Sequence, residues 1–207
     1  MATFYPIALP WRINVSAPSP NSIETLINRA KVGESQAVTE LYEMHVDQIY
    51  RYVAYRVPED DAEDITSDVF INMVQGLPSF TYTGAPFESW LYRIASARIA
   101  DYYRKNKRRE HVELNDHYKS DNPEPEETLI LNQEQQKIRD KLKKLGEDQQ
   151  TLLILRFVER KSHEEVAKIM GKSISAVKTM QHRALQRLAQ LMGQEKKERY
   201  YLRGQDE

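Results

Sequence analysis

The sequence predicts an all-α protein made of two small helical domains. In both halves of the 207-residue chain, apolar residues recur at three- and four-residue steps, which is the period of an amphipathic helix. No segment shows the alternating pattern of a β-strand. Between the halves lies an acidic stretch that contains Pro123 and Pro125 and lacks helical periodicity, so it reads as an extended linker.

These patterns divide the chain into five parts. We expect an N-terminal arm at residues 1–21, a first domain at 22–109, a linker at 110–128, a second domain at 129–193 and a tail at 194–207. The arm and the tail match no pattern that predicts a structure, and the arm is expected to be flexible.

Three apolar stripes predict the helices of the first domain. The first is Val38, Tyr42, Val46, Ile49, Val53 and Val57; the second is Ala62, Ile65, Val69 and Met73; the third is Phe87, Trp90, Leu91 and Ile94. Pro58 and Pro78 follow the first two stripes and end them, whereas Pro86 stands where a first helical turn tolerates it. Phe87 and Trp90 are interpreted as core residues because they lie on the third stripe.

The second domain begins with two further helices. Leu131, Gln135, Ile138, Leu142 and Leu145 outline the first, and the apolar run QQTLLILRFV forms the second.

A helix-turn-helix follows. Ser162 and Glu165 have capping-box spacing, so a helix is predicted to start at His163. Gly171 supplies the left-handed geometry that ends this helix after Met170, and Ser173 is a suitable N-cap for the next helix.

Three residues within this segment have the spacing of a DNA-binding motif. Counted from His163, Ala167 is fifth, Gly171 is ninth and Val177 is fifteenth. A small Ala lets two helices cross closely, Gly makes the turn, and Val packs the second helix on the first. Residues 166–194 contain no acid, and the outer face of the second helix presents Lys178, Thr179, His182 and Arg183. A solvated basic face would also explain these polar residues, but the coincidence of spacing and charge favours DNA binding.

Charge is segregated elsewhere as well, although the formal net charge is only -1. From Glu59 to Asp68 six of ten residues are acidic, whereas Arg98 to Arg109 carries six basic residues and one acid. Such blocks indicate separate partners for separate faces.

Several classes of protein are disfavoured. The chain has no cysteine, which excludes disulfides, thiolate zinc sites and cysteine nucleophiles and fits a cytoplasmic protein. The 5 histidines form no metal-ligand spacing, and neither a phosphate-binding glycine loop nor a GxSxG motif is present. We therefore predict no enzyme, no metal, no cofactor and no insertion into a membrane.

Taken together, these segments resemble extracytoplasmic-function sigma factors of the sigma-70 family. LYEMHVDQIYRYVAYRV, DAEDITSDVFINM, LPSF and APFESWLYRIASARIADYYRKNKRR resemble region 2. LGEDQQTLLILRFVERKSHEEVAKIMGKSISAVKTMQHRALQRL resembles region 4. The chain departs from the usual pattern at Ser67-Asp68, where Gln-Glu is common, and at Ala97, where Asn is common.

The resemblance implies binding to core RNA polymerase, through a coiled coil of the largest subunit and through the flap region. The docking residues it implies are Asp61, Glu63, Asp64, Asp68 and Asn72. Without the resemblance, these acids would also suit a solvated helix N-terminus.

The resemblance also implies binding to promoter DNA. For the -10 element it implies base or strand contacts by Tyr82, Thr83, Arg93 and Ser96, and phosphate contacts by Arg98, Arg104, Lys105, Lys107 and Arg108. For the -35 element it implies readout by Lys178, Thr179, His182 and Arg183, with Lys172, Ser173 and Arg187 beside phosphates. Tyr102 and Tyr103 have no assigned role.

The role of the acidic linker stays open. It would either mimic RNA near the polymerase active site or act as a solubilising tether. An anti-sigma factor is a further candidate partner of the chain. The rival function is a helix-turn-helix transcriptional regulator with a helical sensor domain.

Overall fold

The structure is a computed structural model that describes residues 20–110 and 136–203, with side chains described at 23–107 and 136–193. These two ranges are helical and contain no strand, which confirms the all-α prediction. The N-terminal unit holds α1 (Pro20–Lys31), α2 (Ser35–Ala54), α3 (Ala62–Gly76) and α4 (Phe87–Glu110). The C-terminal unit holds α5 (residues 136–142), α6 (Glu147–Leu153), α7 (His163–Met170) and α8 (Ile174–Arg203). The predicted linker, apart from residue 110, lies outside the described residues.

Helix α1 is absent from the sequence prediction. It packs on α2 through Leu26, Ile27 and Ala30, all of which are buried. Its other residues are mostly polar, so the apolar stripe is short and gives little signal.

Helix α2 buries a face that is turned slightly from the predicted stripe. Leu41, Ile49 and Tyr52 are fully buried, whereas Tyr42 is 42% exposed. The Tyr42 ring lies at the edge of the α2 and α3 packing, where it meets Phe70 edge-on with ring centroids 4.8 Å apart. An aromatic ring can cover a helix edge in this way without entering the core.

Of the predicted core residues of α3 and α4, six are buried, and Trp90 and Ile94 are partly buried against the core. Ala62, Ile65, Val69 and Met73 are all buried on α3, and so are Phe87 and Leu91 on α4. Trp90 is half-buried and packs against Phe80 and Phe87.

A glycine allows this aromatic cluster to approach α3. A Cβ atom at Gly76 would lie 2.8 Å from Cζ2 of Trp90, closer than carbon atoms can pack. The indole therefore requires a residue without a side chain at the end of α3, which fixes the approach of α4.

In the C-terminal unit, α6 continues as a π-helical turn over Ile154–Val158. Leu152, Leu153, Ile154 and Leu155 are buried, as the apolar run predicts. Helix α8 packs on α6 and α7 through Val177, Ala184 and Leu191. Its backbone continues past residue 193, the predicted end of the domain, to Arg203.

Candidate nucleic-acid interface

The helix-turn-helix has the predicted local geometry. The Ser162 hydroxyl accepts a 3.1 Å bond from the Glu165 amide, and the Glu165 carboxylate accepts a 2.6 Å bond from the Ser162 amide. This reciprocal cap starts α7 at His163. Gly171 ends α7 with φ of 62°, in the left-handed region that favours glycine, and the Ser173 hydroxyl then caps α8 through the Ala176 amide.

The outer face of α8 does not pack against the hydrophobic core. Val177 and Ala184 turn inward and are fully buried. The exposed candidates are Ser173, Lys178, Thr179, His182, Arg183 and Arg187. Lys172 is half-buried and forms a 3.1 Å ion pair with Asp148, so its ammonium is already paired within the unit. The first turns of α8 thus present cations and hydrogen-bonding groups to solvent, as recognition of a DNA groove requires.

The basic candidates of α4 divide between two faces. Arg93, Arg104 and Lys107 are exposed and lie close to one line, since eleven residues make about three helical turns. Lys107 lies roughly 21 Å along the helix from Arg93 at a rise of 1.5 Å per residue. Such a row suits phosphates spaced along one strand. Arg108 lies on α4, but its side chain is outside the described residues.

Arg98 and Lys105 instead lie on the side of α4 that packs against the acidic residues of α3. They line a cleft of about 260 Å³ with Asp61, Asp64 and Asp68. Asp101 pairs with Arg98 at 2.6 Å, and the same carboxylate also pairs with Arg104. The family resemblance implies phosphate contacts for Arg98 and Lys105, whereas the structure places them beside carboxylates, where attraction to DNA is partly offset.

The acidic face itself is open to solvent. Glu63, Asp64 and Asp68 are exposed, and Asn72 is half-buried with its amide bonded to the Asp68 carbonyl oxygen at 2.7 Å. Asp61 differs because it accepts a hydrogen bond from a tyrosine on α4. This surface can attract a basic partner without rearrangement.

The loop before α4 lies beside a large cavity. Tyr82 is half-buried and lines a cavity of about 500 Å³, while the neighbouring Thr83 is exposed. Lys168 of α7 lines the same cavity. His45 also lines it, and burial, with a smaller effect of the Lys161 charge, lowers the pKa of His45 to about 4. The imidazole is therefore neutral near pH 7 and adds no cation to the cavity.

Ser96 is half-buried in a polar network. Its hydroxyl lies 2.8 Å from the Tyr52 hydroxyl and 3.1 Å from a guanidinium nitrogen of Arg56. The Tyr52 hydroxyl also lies 2.9 Å from the hydroxyl of Thr151, on α6. The Ser96 hydroxyl is thus engaged by two residues of its own unit, and Tyr52 connects this network to the other unit.

Charge pairs between the units were not predicted. Arg51 on α2 pairs with Glu159, and Glu88 on α4 pairs with Lys161. The hydrogen bond from Arg51 to the Glu159 carboxylate raises the pKa of the guanidinium. Each of these four residues lies in a stretch of sequence with an ordinary mixture of charges, so the sequence pattern does not indicate that it forms a charge pair.

Among the described residues, no cluster of histidine and acidic side chains is suited to a metal ion. Within the same ranges, no helix combines the length and apolarity that crossing a bilayer requires.

Comparisons with known protein families match both units. The family model for Sigma-70 region 2 matches residues 41–109, and the model for Sigma-70, region 4 matches residues 135–188. The first match spans α3, α4 and most of α2, and the second spans the helix-turn-helix.

Two characterised relatives cover most of the chain. The ECF RNA polymerase sigma factor BldN of Streptomyces coelicolor is 35% identical over 170 residues, which is 81% of this chain and 64% of that relative. The chain therefore spans less than two thirds of BldN. The RNA polymerase sigma factor YlaC of Bacillus subtilis is 30% identical over 166 residues, which is 78% of this chain and 95% of that relative.

A solved structure shares the fold. The sigma factor RpoE in complex with the anti-sigma factor NepR, from Bartonella quintana, superposes with a TM-score of 0.54 at 23% identity. The match covers 75% of this chain and 96% of RpoE.

Proposed function

The chain belongs to the sigma-70 family, in its extracytoplasmic-function group, and we propose that it acts as an alternative sigma factor. In this role it binds core RNA polymerase, recognises the -35 and -10 promoter elements and promotes DNA opening. The observation that carries the proposal is the pairing of an exposed recognition helix with a second unit that bears a basic row and an acidic face. In this proposal the protein binds polymerase and promoter DNA and positions one on the other. It has no catalytic residue of its own, and it acts in the cytoplasm.

Recognition of the -35 element is assigned to α8. A recognition helix reads base edges with residues near its N-terminus, where Lys178, Thr179, His182 and Arg183 are exposed. Arg side chains form hydrogen bonds with guanine in the major groove. His and Thr side chains can form hydrogen bonds with either donors or acceptors on the base edges. Ser173, Lys172 and Arg187 are assigned to phosphates at the margins of this contact.

Recognition of the -10 element is assigned to α4 and the loop before it. Opening a duplex without ATP requires that unstacked bases and their phosphates find better partners on the protein. Tyr82 can stack on a base, and Thr83 and Arg93 can bond bases or the strand. The row of Arg93, Arg104 and Lys107 can hold the phosphates that follow. The cleft position of Arg98 and Lys105 makes them weaker candidates for phosphate contact.

Docking on polymerase is assigned to α3. The exposed carboxylates of Glu63, Asp64 and Asp68 suit a basic coiled coil, since complementary charge speeds and orients association. The flap region of polymerase is the proposed partner of the C-terminal unit. We assign domain boundaries at 22–109 and 129–193, joined by the linker at 110–128.

An anti-sigma factor is proposed as a regulatory partner. RpoE, which shares this fold, is known in complex with the anti-sigma factor NepR. Co-purification of a small partner with the full chain, followed by loss of polymerase binding when that partner is added back, would support this role.

Run-off transcription tests the proposal. The full chain and purified core polymerase are mixed with genomic promoter fragments, and discrete transcripts that require both proteins are expected. A chain that instead protects duplex DNA without polymerase, and yields no transcript with it, would support the rival helix-turn-helix regulator.

A further inference from the structure

We propose that Gln181 of α8 is a positioning residue for -35 recognition, whose side-chain oxygen fixes the rotation of the recognition helix by accepting hydrogen bonds from Arg156 and His163. These three residues are called the Gln181 network, and none of them is among the residues assigned to contact DNA. The proposal rests on the proposed function, because it concerns how α8 reads the -35 element.

Gln181 lies on the side of α8 that packs on the rest of the C-terminal unit. Val177 precedes it by four residues and Ala184 follows it by three, and both are fully buried. Residues three or four positions apart share one face of a helix, so Gln181 falls between two core contacts, where its side chain is half-buried. The next residue, His182, is exposed and is assigned to base readout. Gln181 is therefore the inward neighbour of the DNA-reading face.

Two donors converge on the side-chain oxygen of Gln181. Nε of Arg156 lies 3.2 Å from Oε1, and Nε2 of His163 lies 3.1 Å from the same atom. An arginine nitrogen can only donate, which identifies the Gln181 atom as the acceptor oxygen. Because that oxygen cannot donate, the imidazole must carry a proton on Nε2. Both hydrogen bonds thus run toward α8.

The donors belong to the two segments that precede α8 in the chain. Arg156 lies in the π-helical turn Ile154–Val158, and His163 is the first residue of α7. Nη1 of Arg156 also donates to the carbonyl oxygen of Lys161, two residues before α7 begins. The Gln181 oxygen is therefore the point at which hydrogen bonds join the π-helical turn, the start of α7 and the recognition helix.

Apolar packing alone defines the rotation of α8 less strictly than these bonds do. Val177 and Ala184 have small side chains, and burial of apolar surface is favourable in any orientation that excludes water. A hydrogen bond instead weakens steeply as its angle closes or its length increases. Two bonds from different segments to one oxygen therefore oppose rotation of α8 about its axis.

A small rotation would matter at the DNA. Side chains give a helix a diameter of about 10 to 12 Å, so a rotation of roughly 10° moves their outer atoms by about 1 Å. A shift of this size takes a hydrogen bond outside its normal range of lengths. Arg183 would suffer most, since two bonds to one guanine must form together, whereas a phosphate contact by Arg187 tolerates movement. Loss of the Gln181 network should thus relax sequence preference before it lowers affinity for DNA in general.

Selection from a randomised -35 library tests the proposal. The full chain is assembled with core polymerase, and the -10 element of the library is held constant. Gln181→Met keeps the length of the side chain and removes the acceptor, so the ratio of affinities for the preferred and a singly mismatched -35 element should fall roughly threefold or more. Affinity for unrelated DNA should stay within about twofold, because phosphate contacts supply it.

Three further variants separate the acceptor from the size and the location of the side chain. Gln181→Glu keeps an acceptor beside the Arg156 guanidinium, so it should retain the parental preference, while its negative charge weakens binding to all DNA alike. Gln186→Met makes the same chemical change at an exposed position of α8 and should behave like the parent. His163→Phe should relax preference by itself but add little to Gln181→Met, since both remove a bond to the same oxygen.

The outcomes that contradict the proposal are distinct. Parental preference in Gln181→Met, or equal relaxation in Gln181→Met and Gln181→Glu, would overturn it. An equal loss of affinity for every -35 sequence in Gln181→Met, with a parallel loss of stability in urea, would show a purely structural role and would overturn it as well. If the parent chain formed no promoter-selective complex with polymerase, the proposed function itself would fail before any variant is compared.

Discussion

The Tyr102 hydroxyl on α4 donates a 2.7 Å hydrogen bond to Oδ2 of Asp61, the residue that precedes α3. This bond joins the helix assigned to the -10 element to the helix assigned to polymerase docking. Burial, together with the Asp61 carboxylate, raises the pKa of Tyr102, so the phenol stays protonated at neutral pH. Tyr102, whose role the sequence left open, therefore connects α4 to the residue that precedes α3.

Tyr102→Phe should lower the free energy of unfolding by about 1 kcal/mol, because a hydrogen bond to a carboxylate is lost while the ring remains. Urea denaturation measures this change. A raised pKa in the folded state favours the protonated phenol, so its contribution is complete below pH about 10 and is lost as the pH rises further. Tyr42→Phe is the control, since Tyr42 is 42% exposed and packs through its ring, edge-on against Phe70. Equal effects of the two variants would show that the bond to Asp61 contributes nothing.

Reversal of charge on the acidic face should weaken binding to core polymerase. Asp64→Lys with Asp68→Lys should slow association severalfold at low salt, and the difference should shrink as salt rises. Stopped-flow fluorescence of a labelled chain measures the rate. Glu43→Lys, an exposed acid on α2, serves as the control. Were the double variant to associate at the parental rate, polymerase would have to dock elsewhere.

Strand capture is tested by the reactivity of unpaired thymines to permanganate. Tyr82→Ala should reduce the open fraction at the -10 element, since a base stacked on an aromatic ring contributes about 1 to 3 kcal/mol. Arg104→Ala should act in the same direction through a lost phosphate contact. Both variants should bind polymerase normally, and Lys144→Ala, exposed on the C-terminal unit, should open promoters like the parent. Normal opening by both variants would contradict the -10 assignment.

Base readout and backbone attraction can be separated within α8. Arg183→Ala and Lys178→Ala should each cost about 1 to 3 kcal/mol and relax the preference at one position of the -35 element. Arg187→Ala should weaken all sequences alike and reduce the salt slope by roughly one. Selection from a randomised -35 library, with binding measured at several salt concentrations, distinguishes these results. If Arg187→Ala altered sequence preference and the other two did not, α8 would face DNA with a different side.

Local patterns in the sequence determined the helix-turn-helix almost to the residue. The Ser162 and Glu165 cap, the left-handed Gly171 and the buried Val177 depend on contacts within a few residues or one neighbouring helix. Their spacing in the chain therefore suffices to predict them. The same is true of α3, whose four predicted core residues are all buried.

Tertiary structure alone decided how the charged residues are used. The family resemblance implied phosphate contacts for Arg98 and Lys105, but in the structure both residues line a cleft with Asp61, Asp64 and Asp68. Arg51 and Glu159 are 108 positions apart and become partners only when the two units meet. A charge pair depends on distance in space, which the sequence encodes only through the complete fold, whereas a helix cap depends on neighbours three residues away.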